Sequence, residues 1–84
     1  MLFSSQIRAA RGLIEWSRED LARKAGLGLS TVQRMEKGAG LAQGTVANIW
    51  RLQQTLEAAG VVFVVADEAG GPGVRLKATP VIDL

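Results

Sequence analysis

Apolar residues recur at helical spacing over the first part of the chain and at strand spacing afterwards, with Gly60 at the change. A first helix is predicted from about Ser5 to Ile14. Ile7, Ala10 and Ile14 fall on one face, and Ser4 or Ser5 can cap the free N–H groups at its start. The second helix has a more explicit beginning. Ser17 stands at an N-cap with Asp20 three residues on, a capping box with Asp in place of Glu or Gln, and Trp16 and Leu21 flank it as a hydrophobic staple. Glu19 and Asp20 also put negative charge where the helix dipole favours it. Gly26 is a natural left-handed C-cap and ends this helix. A third helix begins near Leu29 and ends before Gly38, with Val32 and Met35 inward. A fourth runs from about Gln43 to Ala59 with Val46, Ile49, Leu52 and Leu56 inward, and Gly60 stops it.

Beyond Gly60 the pattern is β-branched. Val61–Ala66 reads as a strand and Val74–Ala78 as a second one, joined by a Gly-rich connection that contains the turn Gly70-Gly71-Pro72-Gly73. The last stretch, Pro80–Leu84, reads equally as a third short strand or a frayed end. The expected fold class is mainly α, four to five helices followed by a C-terminal β-hairpin, divided as 1–60 and 61–84.

Length and composition narrow the chemistry. A chain of 84 residues buries only roughly 60–65% of the surface its unfolded form exposes, so the core is thin. With no Cys and no His, disulfides, thiolate zinc sites, Cys nucleophiles, His-based triads and HExxH metal sites are excluded. Glu15, Glu19, Asp20 and Glu36 sit at helix starts or scaffold positions, and no nucleophile–base pair stands out; an enzyme is not expected, nor catalytic residues, a metal or a cofactor. The longest apolar stretch, Val61–Ala66, is far shorter than the about 20 residues a bilayer span needs. Met1–Phe3 lack the features of a secretory signal, which makes a cytoplasmic location, without membrane association, the default expectation. The net charge is +2 overall, but its placement is uneven. Basic residues outnumber acidic ones up to Gly60, and the balance reverses from Val61 onward. A positive N-terminal part suits a polyanionic partner.

Arg18 to Lys37 form one unit: two short helices about a turn containing Gly26. Leu21 and Ala22 face inward on one, Val32 and Met35 on the other. Helices crossing at about 90–120° need a small side chain where they touch, which Ala22 supplies. Gly26 provides the positive φ of a tight turn, and Leu27 fills the space beneath it. These residues alone also allow a helical hairpin with no nucleic-acid role. The segment Trp16–Gly38, with its small, Gly and apolar positions matched together, resembles the helix-turn-helix of the phage repressor and Cro-like regulators, the xenobiotic-response-element family. The resemblance extends over roughly Ile7 to Gly60.

That resemblance implies a repressor-like helix-turn-helix regulator that presents the N-terminal half of its third helix to the major groove of an operator in double-stranded DNA. It places Leu29, Ser30 and Arg34 nearest base edges, with Gln33 and Thr31 at the margin. A guanidinium at Arg34 can donate two bonds to guanine O6 and N7, Ser30 can bond a base or a phosphate, and Leu29 can touch a thymine methyl. Ser17 and Arg18 match positions that hold the phosphate backbone. Gly28 replaces the usual Ser or Thr of the third-helix N-cap, leaving its backbone N–H groups for phosphate. Arg11 and Glu36 match a structural ion pair. Arg8, Arg23 and Lys24 read as solvent-facing charges, and Trp50 as a core or subunit contact. One such domain reads few base pairs, so a homodimer is expected, joined through the hairpin, whose edge is too apolar to stay uncovered. An antitoxin-like protein, whose C-terminal β segment binds a partner protein, is the alternative.

Overall fold

The computed structural model describes residues 1–81 and contains four helices and a hairpin. These are α1 (Ser4–Ile14), α2 (Arg18–Ala25), α3 (Leu29–Glu36), α4 (Val46–Ala58), β1 (Val61–Val64) and β2 (Gly73–Leu76). The mainly helical class with a C-terminal two-stranded antiparallel sheet is the one the pattern predicts. The alternatives for the final stretch fall largely outside the described residues.

One apolar cluster holds these elements together. Ile7 and Ala10 of α1, Leu21 and Ala22 of α2, Val32 and Met35 of α3, Leu52 and Leu56 of α4, and Val61 of β1 are buried in it, together with Leu2. α3 lies against α1 and α2, and α4 against α2, while the hairpin lies against α1 and α4. In the antiparallel register Val61 faces Leu76 and Phe63 faces Val74. Phe63 and Val74 pack on the core beside Val61, so strand alternation turns Val62, Val64 and Arg75 to the other face. Gln6, buried in α1, donates from Nε2 to the carbonyls of Gly73 at 3.0 Å and Val64 at 3.4 Å, tying the end of the hairpin to the first helix. No helix among the described residues is long and apolar enough to cross a membrane.

Several local expectations are corrected. Neither Ser4 nor Ser5 caps α1. The N-cap is Phe3, whose N–H donates to Gln6 Oε1 at 2.8 Å, and Ser4 is buried with its hydroxyl directed elsewhere. The fourth helix starts at Val46 rather than near Gln43, because Thr45 accepts from Asn48 N–H at 3.1 Å and caps it there. Val46, expected inward, is 85% exposed. At the helix's first position it precedes the turn that Ile49 and Leu52 bring against the core. Trp50 is 59% exposed and therefore not a core residue. The strands are shorter than the β-branched runs. β1 stops at Val64, since an isolated bridge between Asp67 and Gly70 closes the turn, and β2 takes in Gly73 but ends at Leu76. One pairing has no counterpart in the expected elements: Phe3 and Leu41 form an antiparallel bridge, with Ser4 N–H to Gly40 carbonyl at 3.0 Å and Ala42 N–H to Leu2 carbonyl at 2.9 Å. It fastens the start of the chain to the loop between α3 and α4.

Candidate nucleic-acid interface

The α2–α3 unit is built by local signals. Ser17 Oγ accepts from Asp20 N–H at 3.0 Å, and Asp20 Oδ2 accepts in return from Ser17 N–H at 2.9 Å, which satisfies two of the free donors at the start of α2. The Asp20 carboxylate is held below its ordinary pKa, first by the Ser17 N–H, then by the Ser17 hydroxyl and by Arg23. At the other end Gly26 adopts φ +67°, and the N–H of Leu27 reaches the Ala22 carbonyl at 2.9 Å. The chain then leaves in the direction needed to start α3 two residues later. Ala22 is buried in the core cluster with Val32 and Met35, and Leu27 packs half-buried against it.

The outer face of α3 follows from its inner one. Val32, Met35 and Glu36 are buried. At about 100° per residue, Ser30, Gln33 and Arg34 then form the stripe opposite them, and all three are exposed. Leu29, 37% exposed, and half-buried Thr31 flank that stripe on its two sides. Among the described residues, the side chains of Ser30, Gln33 and Arg34 make no hydrogen bond or ion pair. Lys37, one turn beyond Gln33 and exposed, continues the row, although nothing in the sequence pattern singles it out. Gly28 is the α3 N-cap without a side-chain hydrogen bond; the Thr31 N–H closes on the Gly28 carbonyl at 3.1 Å, which leaves the N–H groups of Leu29 and Ser30 as the uncapped donors of the first turn.

Behind this face sits an arginine cluster. The Glu36 side chain is 1% exposed, and Arg11 grips it with Nε to Oε2 at 2.7 Å and Nη2 to Oε1 at 2.8 Å. The remaining Arg11 nitrogen donates to the Trp16 carbonyl at 3.0 Å. The hydrogen bond to Glu36 raises the Arg11 pKa above its ordinary value, against the opposing effect of burial. Arg18 Nε approaches Glu36 Oε1 at 3.4 Å from a half-exposed position at the start of α2. Ser17, the other residue at that edge, has its hydroxyl engaged in the cap but is exposed. Arg23 pairs with Asp20 at 3.0 Å and Lys24 lies over the Trp16 ring at 5.1 Å; both are exposed. Arg8 is exposed, as expected, but it is not idle: its Nη1 donates to the carbonyls of Glu36 and of Gly38. A carbonyl partner distant in sequence leaves no periodic trace, and nothing in the local pattern could have found it.

The arrangement is a packed pair of crossed helices with the outer face of α3 exposed, one carboxylate neutralised inside and polar and cationic groups outside. No curated protein matches the chain. A family model described as helix-turn-helix matches residues 7–57, from α1 to nearly the end of α4. Since the match takes in more than half of the chain and both helices of the crossed pair, the chain belongs to the helix-turn-helix family of DNA-binding regulators of the Cro and phage-repressor type.

Proposed function

We propose that the chain is a sequence-specific transcriptional regulator that inserts α3 into the major groove of double-stranded DNA. The observation that carries this reading is the outward stripe Ser30, Gln33 and Arg34, exposed and without partners among the described residues, on a helix whose opposite face is fixed in the core. In this reading Arg34 reads guanine through a two-pronged donor pair, and Ser30 and Gln33 bond neighbouring base edges. Leu29 and Thr31 lie against the sides of the contact, where Leu29 meets a thymine methyl. Phosphates are held by Arg18 and by Ser17 at the start of α2, and by the N–H groups behind Gly28. Arg18 suits that task because Glu36 already has a two-pronged partner in Arg11, so swinging away from a 3.4 Å contact costs Arg18 little. Arg11 and Glu36 themselves belong to the scaffold. Two copies act together on adjacent half-sites about 34 Å apart along one side of the duplex, joined through the 61–84 extension.

Selection of bound sequences from a random duplex pool, followed by salt titration of the selected duplex, tests the reading. The expected result is a two-fold symmetric preferred sequence, with log K falling against log salt at a slope near −0.9 per phosphate contact. Enrichment of no sequence, with binding equal for all duplexes, overturns it.

A further inference from the structure

The last turn of α3 is completed by side chains of another helix. A helix leaves its final four carbonyls without partners of its own. In α3 the Arg34 carbonyl takes the Lys37 N–H at 3.4 Å, a local and weak closure. The Met35 carbonyl accepts from Ser4 Oγ at 2.6 Å, and the Glu36 carbonyl from Arg8 Nη1. The same Arg8 nitrogen also donates to the Gly38 carbonyl at 2.8 Å. Ser4 and Arg8 are one turn apart on α1 and so address α3 from a single side. The residue after α3, Lys37, is extended at φ −79°, ψ 131°, so no left-handed C-cap closes the helix there. A cation beside a helix C-terminus also has the favourable sign for the dipole.

A helix of eight residues is too short to hold its shape without tertiary support. Its direction is therefore set by the core contacts of Val32 and Met35 together with what grips its ends. The N-terminal end carries no side-chain cap, whereas the C-terminal end is bound to α1 by Ser4 and Arg8. We propose that Ser4 and Arg8 are positioning residues for base reading: a cap supplied from α1 that fixes the tilt of α3, and so the alignment of Ser30, Gln33 and Arg34 with base edges. This rests on the reading of α3 as the DNA probe. Neither residue touches the duplex; both act through the backbone of α3. Base recognition tolerates only small errors of direction, so loosening this end lowers preference more than overall attraction to DNA.

The experiment compares the full chain with its Arg8→Met, Arg8→Lys and Ser4→Ala variants in two measurements. Amide exchange without DNA reads the cap itself. Arg8→Met and Ser4→Ala speed exchange in the last turn of α3 while the amides of α4 keep their rates. Affinity for the selected duplex against a scrambled duplex of equal length reads positioning. Arg8→Met lowers that ratio about fivefold to tenfold with an unchanged salt slope, and Arg8→Lys, which keeps a cationic donor, restores most of it. An intact ratio with a slope shallower by about 1 makes Arg8 a phosphate contact and overturns the proposal. Unchanged exchange and an unchanged ratio overturn it too. Should the parent chain prefer no duplex, the reading of α3 fails and the positioning role with it, while exchange still decides whether the cap exists. If Arg8→Met does not fold, Ser4→Ala, which removes one hydroxyl and adds no bulk, decides the question on both measurements.

Discussion

Glu36 carries a carboxylate into the interior because Arg11 meets both of its oxygens while Arg18 approaches one of them, leaving neither oxygen without a partner. The pair's value lies mainly in what happens when half of it is removed. Arg11→Met keeps the apolar stem but leaves Glu36 with only the longer Arg18 contact, and stranding a buried charge costs about 3–5 kcal/mol. Domains of this kind are stable by only about 5–15 kcal/mol in total. Urea denaturation should therefore show a large fall in midpoint for Arg11→Met, partly recovered by adding Glu36→Gln; a loss below about 1 kcal/mol would show that the carboxylate is already well solvated. Arg34 is the opposite case. Its side chain makes no contact that folding depends on, so Arg34→Ala should leave stability within about 0.5 kcal/mol. It should weaken binding to the selected duplex by about 1–3 kcal/mol and relax preference at one base position. Competition binding against duplexes altered at single positions checks both parts, and unchanged preference removes Arg34 from the reading residues.

At the scale of single elements, α2 shows what a local signal achieves. Its cap, its staple and its terminal glycine lie within ten or so neighbouring residues, and each acts through backbone groups that any start or end of a helix must satisfy, so sequence alone locates both ends. The two partners of the Asp20 carboxylate give this cap a pH signature. Its folded pKa lies below the unfolded value, so the folded state binds fewer protons in that window, and the contribution is present above the unfolded pKa and lost as pH falls through the folded one. The difference in thermal midpoint between the parent chain and Asp20→Asn should therefore be largest near neutral pH and vanish in acid; a difference independent of pH would assign the effect to shape rather than charge. The start of α4 lies later than the pattern predicts because apolar spacing persists across a residue that cannot be helical. Gly44 sits at φ +152°, and a Cβ there would lie 3.1 Å from the Cε of buried Met35. Gly44→Ala should cost about 1 kcal/mol or more in stability, read from chemical denaturation, with no change in the salt dependence of DNA binding. The Phe3–Leu41 bridge and the Ser4 and Arg8 contacts are illegible in the sequence for a different reason. They join a backbone or side-chain donor to a carbonyl far away along the chain, and neither hydrophobic period nor cap chemistry encodes such a meeting.

For the whole molecule, the packing separates two tasks. The crossed helices project α3 from one part of the core, while the hairpin packs on α1 and α4. The face of the hairpin turned from the core carries Val62, Val64 and Arg75, and Val65 beyond it is 76% exposed. Among the described residues, both outer edges of the two-stranded sheet lack strand partners, and the edge strand β2 bears Arg75, a charge that guards against indiscriminate pairing. A second copy meeting this face in a fixed two-fold orientation would bury the valines, keep the two arginines apart at the rim, and set the distance between two α3 helices. The chain should therefore sediment as two copies at ~10 µM, a concentration that populates a contact with a Kd of about 1 µM. Val62→Lys should yield single chains with an unaltered helical signal and reduce binding to the paired half-sites far more than to one half-site. A second exposed apolar group, Met1, Leu41, Val46 and Trp50, gathers around the start of α4. Dissociation by Trp50→Ser but not by Val62→Lys would move the contact there. A mass of one chain for the parent protein, both free and on a duplex bearing two half-sites, would leave each domain reading alone, with too few base pairs in reach to single out an operator.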